Sequence, residues 1–547
     1  AGAMEALVKL LGDGSDVAKE RALFVLTILT DTADSESALQ RTGGWDPMAR
    51  TIGSMGMRTT STVLWENMSA VTSNRTAVVR FGGVEPLVKL LSDPNITLQE
   101  NAAAVIWGLA AHKDNHIAIA KTGGLEPLVH LLDGQSQAVK ELAAAALWRL
   151  AGHPDNQISI VIAGGIEPLV QLCIEGNGVL KECAAGTLRN LARNNDNKVA
   201  IAQHGGLEAL VGLLREEPAR SVARERAAEA LANLASSPDN KVSIAKIGGL
   251  EALTRQLIEG GDGEQENAAV ALQNLSINPE NQIILAQCGG LEALVQLLET
   301  GTIVAKARAA AALWNLGSHF ENKRRIAAAG ALPLLIGLLD DENVNVKENA
   351  AGALRSLSAD ASNQAEMVAC GALPPLTRQL DDRSAKAKEN ISATLRNLSA
   401  VPEHKVLIVE AGALGPLLDL VATGSISAKE NASGCLWSLA TVAENRIAIR
   451  DAAGLEPLFQ LLNSSSETAR KNAFGALRNL ALDDDIAETL KAMGWESREK
   501  ESHENTQWRP ETATTAATTA ADGFGLAPAG VPKHGLQAAP APPLRST

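Results

Sequence analysis

Apolar residues recur along the chain in blocks, and a glycine precedes each block at nearly constant intervals. Successive glycines are 39 to 43 residues apart, and there are twelve of them: Gly2, Gly44, Gly83, Gly124, Gly165, Gly206, Gly249, Gly290, Gly330, Gly371, Gly412 and Gly454. A period near 41 residues lies in the range of solenoid repeats that contain two or three helices. The pattern therefore predicts about twelve tandem helical repeats instead of several separate globular domains.

The unit at residues 445–482 shows how one period divides. Residues 445–453 have the pattern of a short helix, and Gly454 is predicted to end it, because glycine readily takes the positive φ that reverses the chain. A second apolar segment at 455–462 is the next helix. Residues 468–482 alternate small and large apolar side chains and predict a third, longer helix. Each repeat is therefore expected to contain three helices.

The third helices resemble those of armadillo repeats. The resemblance rests on NAAGALRSLS at 349–358, KNAFGALRNLA at 471–481, and the glycine turn before segments of the LEPLV type. It implies an all-α fold in residues 1–495, a right-handed superhelical solenoid of about twelve three-helix armadillo repeats that complete each other's core. HEAT repeats lack the glycine-delimited first helix. Among armadillo proteins, the array is similar to scaffold and adaptor types such as β-catenin and the vacuolar adaptors.

The two ends depart from the regular repeat. Gly2 matches the repeat glycine, so the first repeat is expected to lack its first helix, and residues 44–82 form a degenerate repeat. Residues 486–494 resemble a lone first helix that would cap the stack. The Ala-, Thr- and Pro-rich residues 496–547 cannot supply a core and are expected to form a disordered tail.

One polar position recurs near the end of the third helices, and we call it the ladder position. It is Asn in seven of eleven repeats: Asn67, Gly108, Arg149, Asn190, Asn233, Asn274, Asn315, Ser356, Asn397, Ser438 and Asn479. A second set lies seven residues earlier, on the same helix face: Asn101, Arg226, Asn267, Arg308, Asn349, Asn390, Asn431 and Asn472. Small residues lie between the two sets, which predicts a floor of small side chains flanked by amides.

In armadillo proteins the corresponding asparagines bind the backbone of an extended peptide on the concave face, since an amide offers a donor and an acceptor. The resemblance implies a peptide-binding groove formed by Asn190, Asn233, Asn274, Asn315, Ser356, Asn397, Ser438, Asn479, Asn267, Asn349, Asn390, Asn431, Asn472, Arg149, Arg226 and Arg308. The alternative is that each amide bonds across repeats. The three arginines favour acidic or phosphorylated partner segments.

The tryptophans distinguish this array from typical importin-α proteins, which carry Trp four residues before the ladder Asn. Here that position is Ala, Gly or Val, and the tryptophans lie immediately before the ladder position, where we expect them to pack between repeats: Trp107, Trp148, Trp314 and Trp437. Glutamates also recur near the starts of the third helices, where the helix dipole accounts for them.

Composition narrows the classes of function. The net charge of −14 argues against nonspecific nucleic-acid binding. No apolar run approaches the roughly twenty residues of a membrane span. Five cysteines without a CxxC pair indicate core residues in a reducing compartment. We therefore expect a cytoplasmic protein, with the nucleus or a membrane surface as alternatives.

No enzymatic chemistry is recognisable in the sequence. His112 and His116 have the spacing of metal ligands, but Asp114 and Asn115 between them indicate a turn in a surface loop, and no third ligand is evident. We predict no cofactor, no metal, and a non-enzymatic scaffold that binds proteins. The alternatives are the substrate-recognition array of a U-box ubiquitin ligase whose upstream domain is missing, and a structural armadillo protein of cilia or the vacuolar membrane.

Overall fold

The computed structural model describes residues 84–216 and 221–495, together with a few isolated positions before residue 84. The expected incomplete first repeat, the degenerate repeat at 44–82, the ladder residue Asn67 and the tail at 496–547 lie outside the described residues. The described part contains thirty α-helices, one 3-10 helix and no β-strand. This confirms the predicted all-α solenoid, and the number of repeats in the whole chain stays a prediction.

The helices follow one another in the predicted order of short, intermediate and long. First helices are Asn115–Lys121, Pro154–Ile162, Asn195–Gln203, Pro238–Lys246, Pro279–Gln287, Phe320–Ala328, Ala361–Ala369, His404–Glu410 and Ala443–Asp451. Second helices are Val84–Leu90, Leu125–Leu131, Ile166–Glu175, Gly206–Arg215, Gly249–Glu259, Gly290–Thr300, Ala331–Gly337 with the 3-10 helix Leu338–Asp340, Leu373–Gln379, Leu414–Thr423 and Leu455–Leu461.

The described part of the chain has ten third helices of equal length, 14 residues each: Ile96–Leu109, Gln137–Leu150, Gly178–Leu191, Ser221–Leu234, Asp262–Leu275, Ile303–Leu316, Val344–Leu357, Ala385–Leu398, Ile426–Leu439 and Glu467–Leu480. A last helix, Asp484–Ala492, belongs to a separate compact unit, Asp484–Thr547, while the repeats belong to the unit Ala1–Asp483. The helix predicted at 486–494 is present, and its capping role stays a prediction.

The core consists mainly of Leu and Ala from the third helices. In Ile303–Leu316, for example, Ala309, Ala310, Ala312 and Leu313 are fully buried. Small side chains allow helix axes to approach closely, and neighbouring third helices make the most extensive contacts between repeats, whereas first helices make the least. The stack is therefore tightest along its third helices.

The cysteines follow the prediction in part. Cys173, Cys183 and Cys435 are buried, and burial raises the pKa of each thiol to about 12. Cys288 is half-buried. The expectation of a core position is wrong for Cys370, which is exposed because it ends the first helix Ala361–Ala369.

No single helix among the described residues has the length and apolar character needed to cross a membrane. Three helix pairs, bent by 80 to 87°, pass that test only when both helices of a pair are counted together.

The turn after the first helix differs in one detail from its prediction. In the unit at 443–480, Ala453 takes the positive φ, at 58°, and Gly454 does not. Gly454 is needed for space, since a Cβ there would lie 2.7 Å from Ile449 Cγ2 and 2.8 Å from its carbonyl oxygen. The residue that corresponds to Ala453 in the preceding repeat is Gly412, at φ 83°.

Replacing Ala453 with Gly should stabilise the protein. A left-handed conformation costs an L-residue roughly 1–2 kcal/mol, and part of that gain is lost to the greater backbone entropy of glycine in the unfolded chain. We expect Ala453→Gly to raise the free energy of unfolding in urea by about 1 kcal/mol. Gly412→Ala is the reciprocal control and should lower it by a similar amount. Equal stability of wild type and Ala453→Gly would contradict the role assigned to this turn.

Candidate functional site

In the described third helices from Gln137–Leu150 onward, every ladder side chain reaches back to the preceding repeat. Each lies next to the last residue of its third helix and donates a hydrogen bond to a group near the end of the third helix before it. Five bonds go directly from an asparagine to a backbone carbonyl: Asn190 to Trp148 at 3.1 Å, Asn233 to Arg189 at 3.1 Å, Asn274 to Ala232 at 2.9 Å, Asn315 to Gln273 at 3.1 Å and Asn479 to Trp437 at 3.2 Å.

The accepting carbonyl is one that its own helix leaves without a donor. Beyond Ala232, the N–H groups of Ala235, Ser236 and Ser237 donate to the carbonyls of Leu231, Asn233 and Leu234, so the carbonyl of Ala232 is passed over. Carbonyls in the last turn of a helix lack an intrahelical partner in this way. Asn274 supplies the donor from the next repeat. The ladder side chain is therefore the C-terminal cap of the preceding third helix.

Other residue types at the ladder position keep this arrangement. Arg149 donates to the carbonyl of Trp107 at 2.8 Å, and Ser356 donates to that of Trp314 at 3.2 Å. In some repeats a serine beyond the helix takes part: Asn397 donates to Ser358 Oγ at 2.9 Å. The hydroxyl of Ser358 itself donates to the carbonyl of Arg355 at 2.8 Å, so the capping bond is relayed.

The second set of amides makes a parallel row of bonds. Asn349 donates to the carbonyl of Ala307 at 3.0 Å, and Asn472 donates to that of Glu430 at 2.8 Å, each in the preceding third helix. Asn267 and Asn431 make longer bonds of the same kind. Asn390 instead accepts from Arg355 at 3.2 Å. The structure thus brings the predicted residues together in two rows, and the asparagines named here bond across repeats, through the oxygen at Asn390 and through the nitrogen at the others. Contact with a partner peptide stays a prediction.

A third row of asparagines lies near the starts of the first helices. Asn281 is the third residue of the helix Pro279–Gln287, and its side chain donates to the carbonyls of Leu275 and Lys241, both at 3.1 Å. The same pair of bonds is made by Asn156, Asn197, Asn240, Asn363 and Asn445. The signal that could have identified them is their own 41-residue period.

The glutamates near the starts of the third helices also join repeats, which the helix dipole alone does not explain. Glu348 accepts a hydrogen bond from Ser384, the N-cap of the next third helix, at 2.6 Å, and the oxygen of Ser384 accepts from the N–H of Ala387. Glu266, Glu389 and Glu430 accept in the same way from Thr302, Ser425 and Ser466, and Glu141 accepts from the amide of Asn177. Five third helices are therefore tied to the preceding repeat near their N-termini.

Large side chains of the preceding repeat cover glycines of the predicted floor of small residues. A Cβ on Gly352 would lie 2.4 Å from the ring of Trp314 in the preceding repeat, and one on Gly475 would lie 2.4 Å from that of Trp437. Arg396 covers Gly434 in the same manner. The tryptophans therefore pack between repeats, as predicted.

Sequence analysis missed one exception in this row of small residues. Glu229 occupies the position in the helix Ser221–Leu234, and its carboxylate lies 2.8 Å from Arg189 Nη1. Of the three arginines assigned to the groove, Arg226 lies 3.4 Å from the same carboxylate, Arg149 stacks 4.4 Å from the centroid of the Trp107 ring, and Arg308 is exposed. The surroundings of the arginines on the third helices thus differ from repeat to repeat.

The surface loop predicted around His116 is also wrong. His116 lies in the first helix Asn115–Lys121 and is buried, with Nε2 2.9 Å from the carbonyl oxygen of Ala110. Its burial lowers its pKa. Among the described residues, no group of three or more His, Cys, Asp or Glu side chains could hold a metal ion.

A model of the armadillo/beta-catenin-like repeat matches more than half of the chain, at residues 72–111, 112–152, 194–236, 278–318, 319–359, 360–400, 402–441 and 443–482. The chain therefore belongs to the armadillo/beta-catenin-like repeat family, as its sequence predicted. Proteins of this family are generally scaffolds that bind other proteins. Comparison with curated protein sequences gives no match.

Two solved structures, with TM-scores above 0.5, show the same fold. An engineered protein is 28% identical, with a TM-score of 0.59, and the alignment covers 87% of this chain and 98% of that one. A structure from work on a phosphorylation switch in the interaction between cadherin and beta-catenin is 18% identical, with a TM-score of 0.68, over 88% of this chain and 99% of that one. A designed armadillo repeat protein is 30% identical over 42% of this chain and 99% of its own, with a TM-score of 0.41.

Replacement of two ladder residues tests the capping role. Asn274→Ala leaves the carbonyl of Ala232 without a donor and should lower the free energy of unfolding by about 1–3 kcal/mol. Asn315→Ala is the matched control and should cost less, because Ser276 Oγ still donates to the carbonyl of Gln273 at 2.8 Å. Urea unfolding followed by circular dichroism measures both. Equal losses, or a larger loss for Asn315→Ala, would contradict the capping role.

Proposed function

We propose that this chain is a non-enzymatic scaffold that binds extended segments of partner proteins along its third helices. The surface concerned, here called the groove face, consists of the ladder positions and the residues immediately before them on the ten described third helices. It is continuous, because the third helices are equal in length and pack directly against one another. A surface of this kind suits a long partner segment better than a small molecule.

The charge of the groove face is the observation that carries the proposal. The chain has a net charge of −14, yet the groove face contains five arginines and no aspartate or glutamate. These residues are Arg149, Arg189, Arg355, Arg396 and Arg478. A positive row on a negative protein would attract acidic segments.

The ladder amides support an extended ligand in particular. Their nitrogens are used in capping, but the amide oxygens of Asn274 and Asn315 accept no hydrogen bond from the described residues, and both side chains are only half-buried. Backbone N–H groups of a partner could donate to these oxygens. Packed helices lie about 8–10 Å apart, and an extended chain rises about 3.3 Å per residue. The distance between neighbouring third helices therefore matches the length of roughly three residues of an extended partner. One backbone N–H group of the partner could therefore donate to a ladder amide oxygen in each repeat.

Charge reversal on this side of the third helices tests the proposal. A displayed library of random peptides is selected on the wild-type array, and we expect enrichment of acidic sequences. The double variant Arg308→Glu and Arg478→Glu reverses two exposed charges and should weaken binding of the selected peptides by about tenfold or more. Fluorescence anisotropy of labelled peptides measures this.

The control is the double variant Lys246→Glu and Arg255→Glu, which makes the same change in net charge at exposed residues of a first and a second helix. It should retain binding. If the selected peptides bind both double variants equally well, or lose binding to both equally, the third helices do not form the binding surface.

A further inference from the structure

Glu229 breaks the pattern of the third helices at the side that we assign to ligand binding. The position four residues before the ladder position is Gly or Ala in eight of the ten described third helices and Val270 in one. In Ser221–Leu234 it is Glu229, a long, charged side chain where the fold elsewhere places a small one. Packing between repeats does not require a carboxylate at this position.

The carboxylate of Glu229 lies between two guanidinium groups that come from different helices. Its Oε2 accepts from Nη1 of Arg189, in the preceding third helix, at 2.8 Å and from Nη1 of Arg226, one turn earlier in its own helix, at 3.4 Å. The side chains of Arg189, Arg226 and Glu229 are 18%, 25% and 29% exposed. The three groups are therefore partly desolvated but open to a ligand.

The two arginines are held in place by groups other than Glu229. Arg189 also donates from Nε and Nη2 to Oδ1 of Asn190, at 3.2 and 3.0 Å. The guanidinium of Arg226 lies 5.6 Å from the centroid of the Trp148 ring, and its Nη1 is 4.0 Å from Glu225. Removing Glu229 would therefore leave a pair of oriented donors with no carboxylate between them, which is the arrangement that binds a carboxylate or phosphate group.

We propose that Glu229 is a specificity-determining residue, which fills this anion position from within the chain and excludes an acidic partner side chain at this repeat. A ligand carboxylate at this point would meet the negative charge of Glu229 and would find both arginines engaged. The array would then accept acidic side chains at other repeats and select neutral ones here. The role of Glu229 in partner specificity rests on the proposed function. The capacity of Arg189 and Arg226 to bind an anion does not.

Binding of a labelled oligoglutamate peptide to the full chain tests the anion position. Glu229→Ala places at this site the residue that other repeats have, and it should bind the peptide about tenfold more tightly than the control Glu208→Ala does. Glu208 is exposed on the second helix Gly206–Arg215 of the same repeat, so its replacement makes the same change in net charge. Fluorescence anisotropy gives both affinities, and thermal melting verifies that each variant is folded.

Two further variants decide the interpretation. Glu229→Gln removes the charge and keeps the side chain's size, and it should tighten binding severalfold, which covers the case in which Glu229→Ala fails to fold. Adding Arg226→Ala to Glu229→Ala should return the affinity to that of Glu208→Ala. Equal affinities for Glu229→Ala and Glu208→Ala, or no tightening in the folded Glu229→Gln, would overturn the proposal. Failure of the proposed function would appear separately, in the double variant Arg308→Glu and Arg478→Glu.

Discussion

The hydrogen bond from each ladder side chain to the end of the preceding third helix is the interaction on which the array depends. A helix cannot satisfy the carbonyls of its own last turn, and here the carbonyl of Ala232 is passed over by every backbone N–H that follows it. The donor comes from the next repeat, through Asn274. A repeat is therefore incomplete in its hydrogen bonds as well as in its apolar core, which ties stability to nearest neighbours.

This arrangement gives the groove face a fixed geometry before any partner is present. Near their C-termini the described third helices up to Ile426–Leu439 are capped by the next repeat. Near the N-termini of some of them, residues such as Ser384 donate to a glutamate of the preceding repeat, here Glu348. Ligand groups would consequently meet side chains whose conformations are already restricted by bonds within the protein. Restriction of this kind lowers the entropy that binding costs. The amide oxygens left over from capping are the acceptors that such a surface can offer.

The sequence was sufficient to predict the repeat period and the three helices of each repeat, because apolar periodicity and glycine spacing are local properties. The predicted segment 455–462 agrees closely with the helix Leu455–Leu461. The partners of the ladder amides could not be predicted, since the same helix face could point to solvent or to a neighbouring carbonyl. Glu229 was overlooked because it interrupts a row defined by small residues. Its pairing with Arg189 depends on how two helices pack, which one sequence does not reveal.

The residue before the ladder position is tryptophan in four of the ten described third helices and arginine in four others, and both are long side chains with a flat end. The ring of Trp314 covers Gly352, and the side chain of Arg396 covers Gly434, so either residue shields the backbone of the next repeat. Replacing one by the other changes the charge of the groove face but keeps this packing. Charge on this surface can therefore vary from repeat to repeat while the fold stays the same. Where the shielded residue is itself charged, as with Arg189 above Glu229, packing is replaced by an ion pair, and that repeat acquires its own ligand preference.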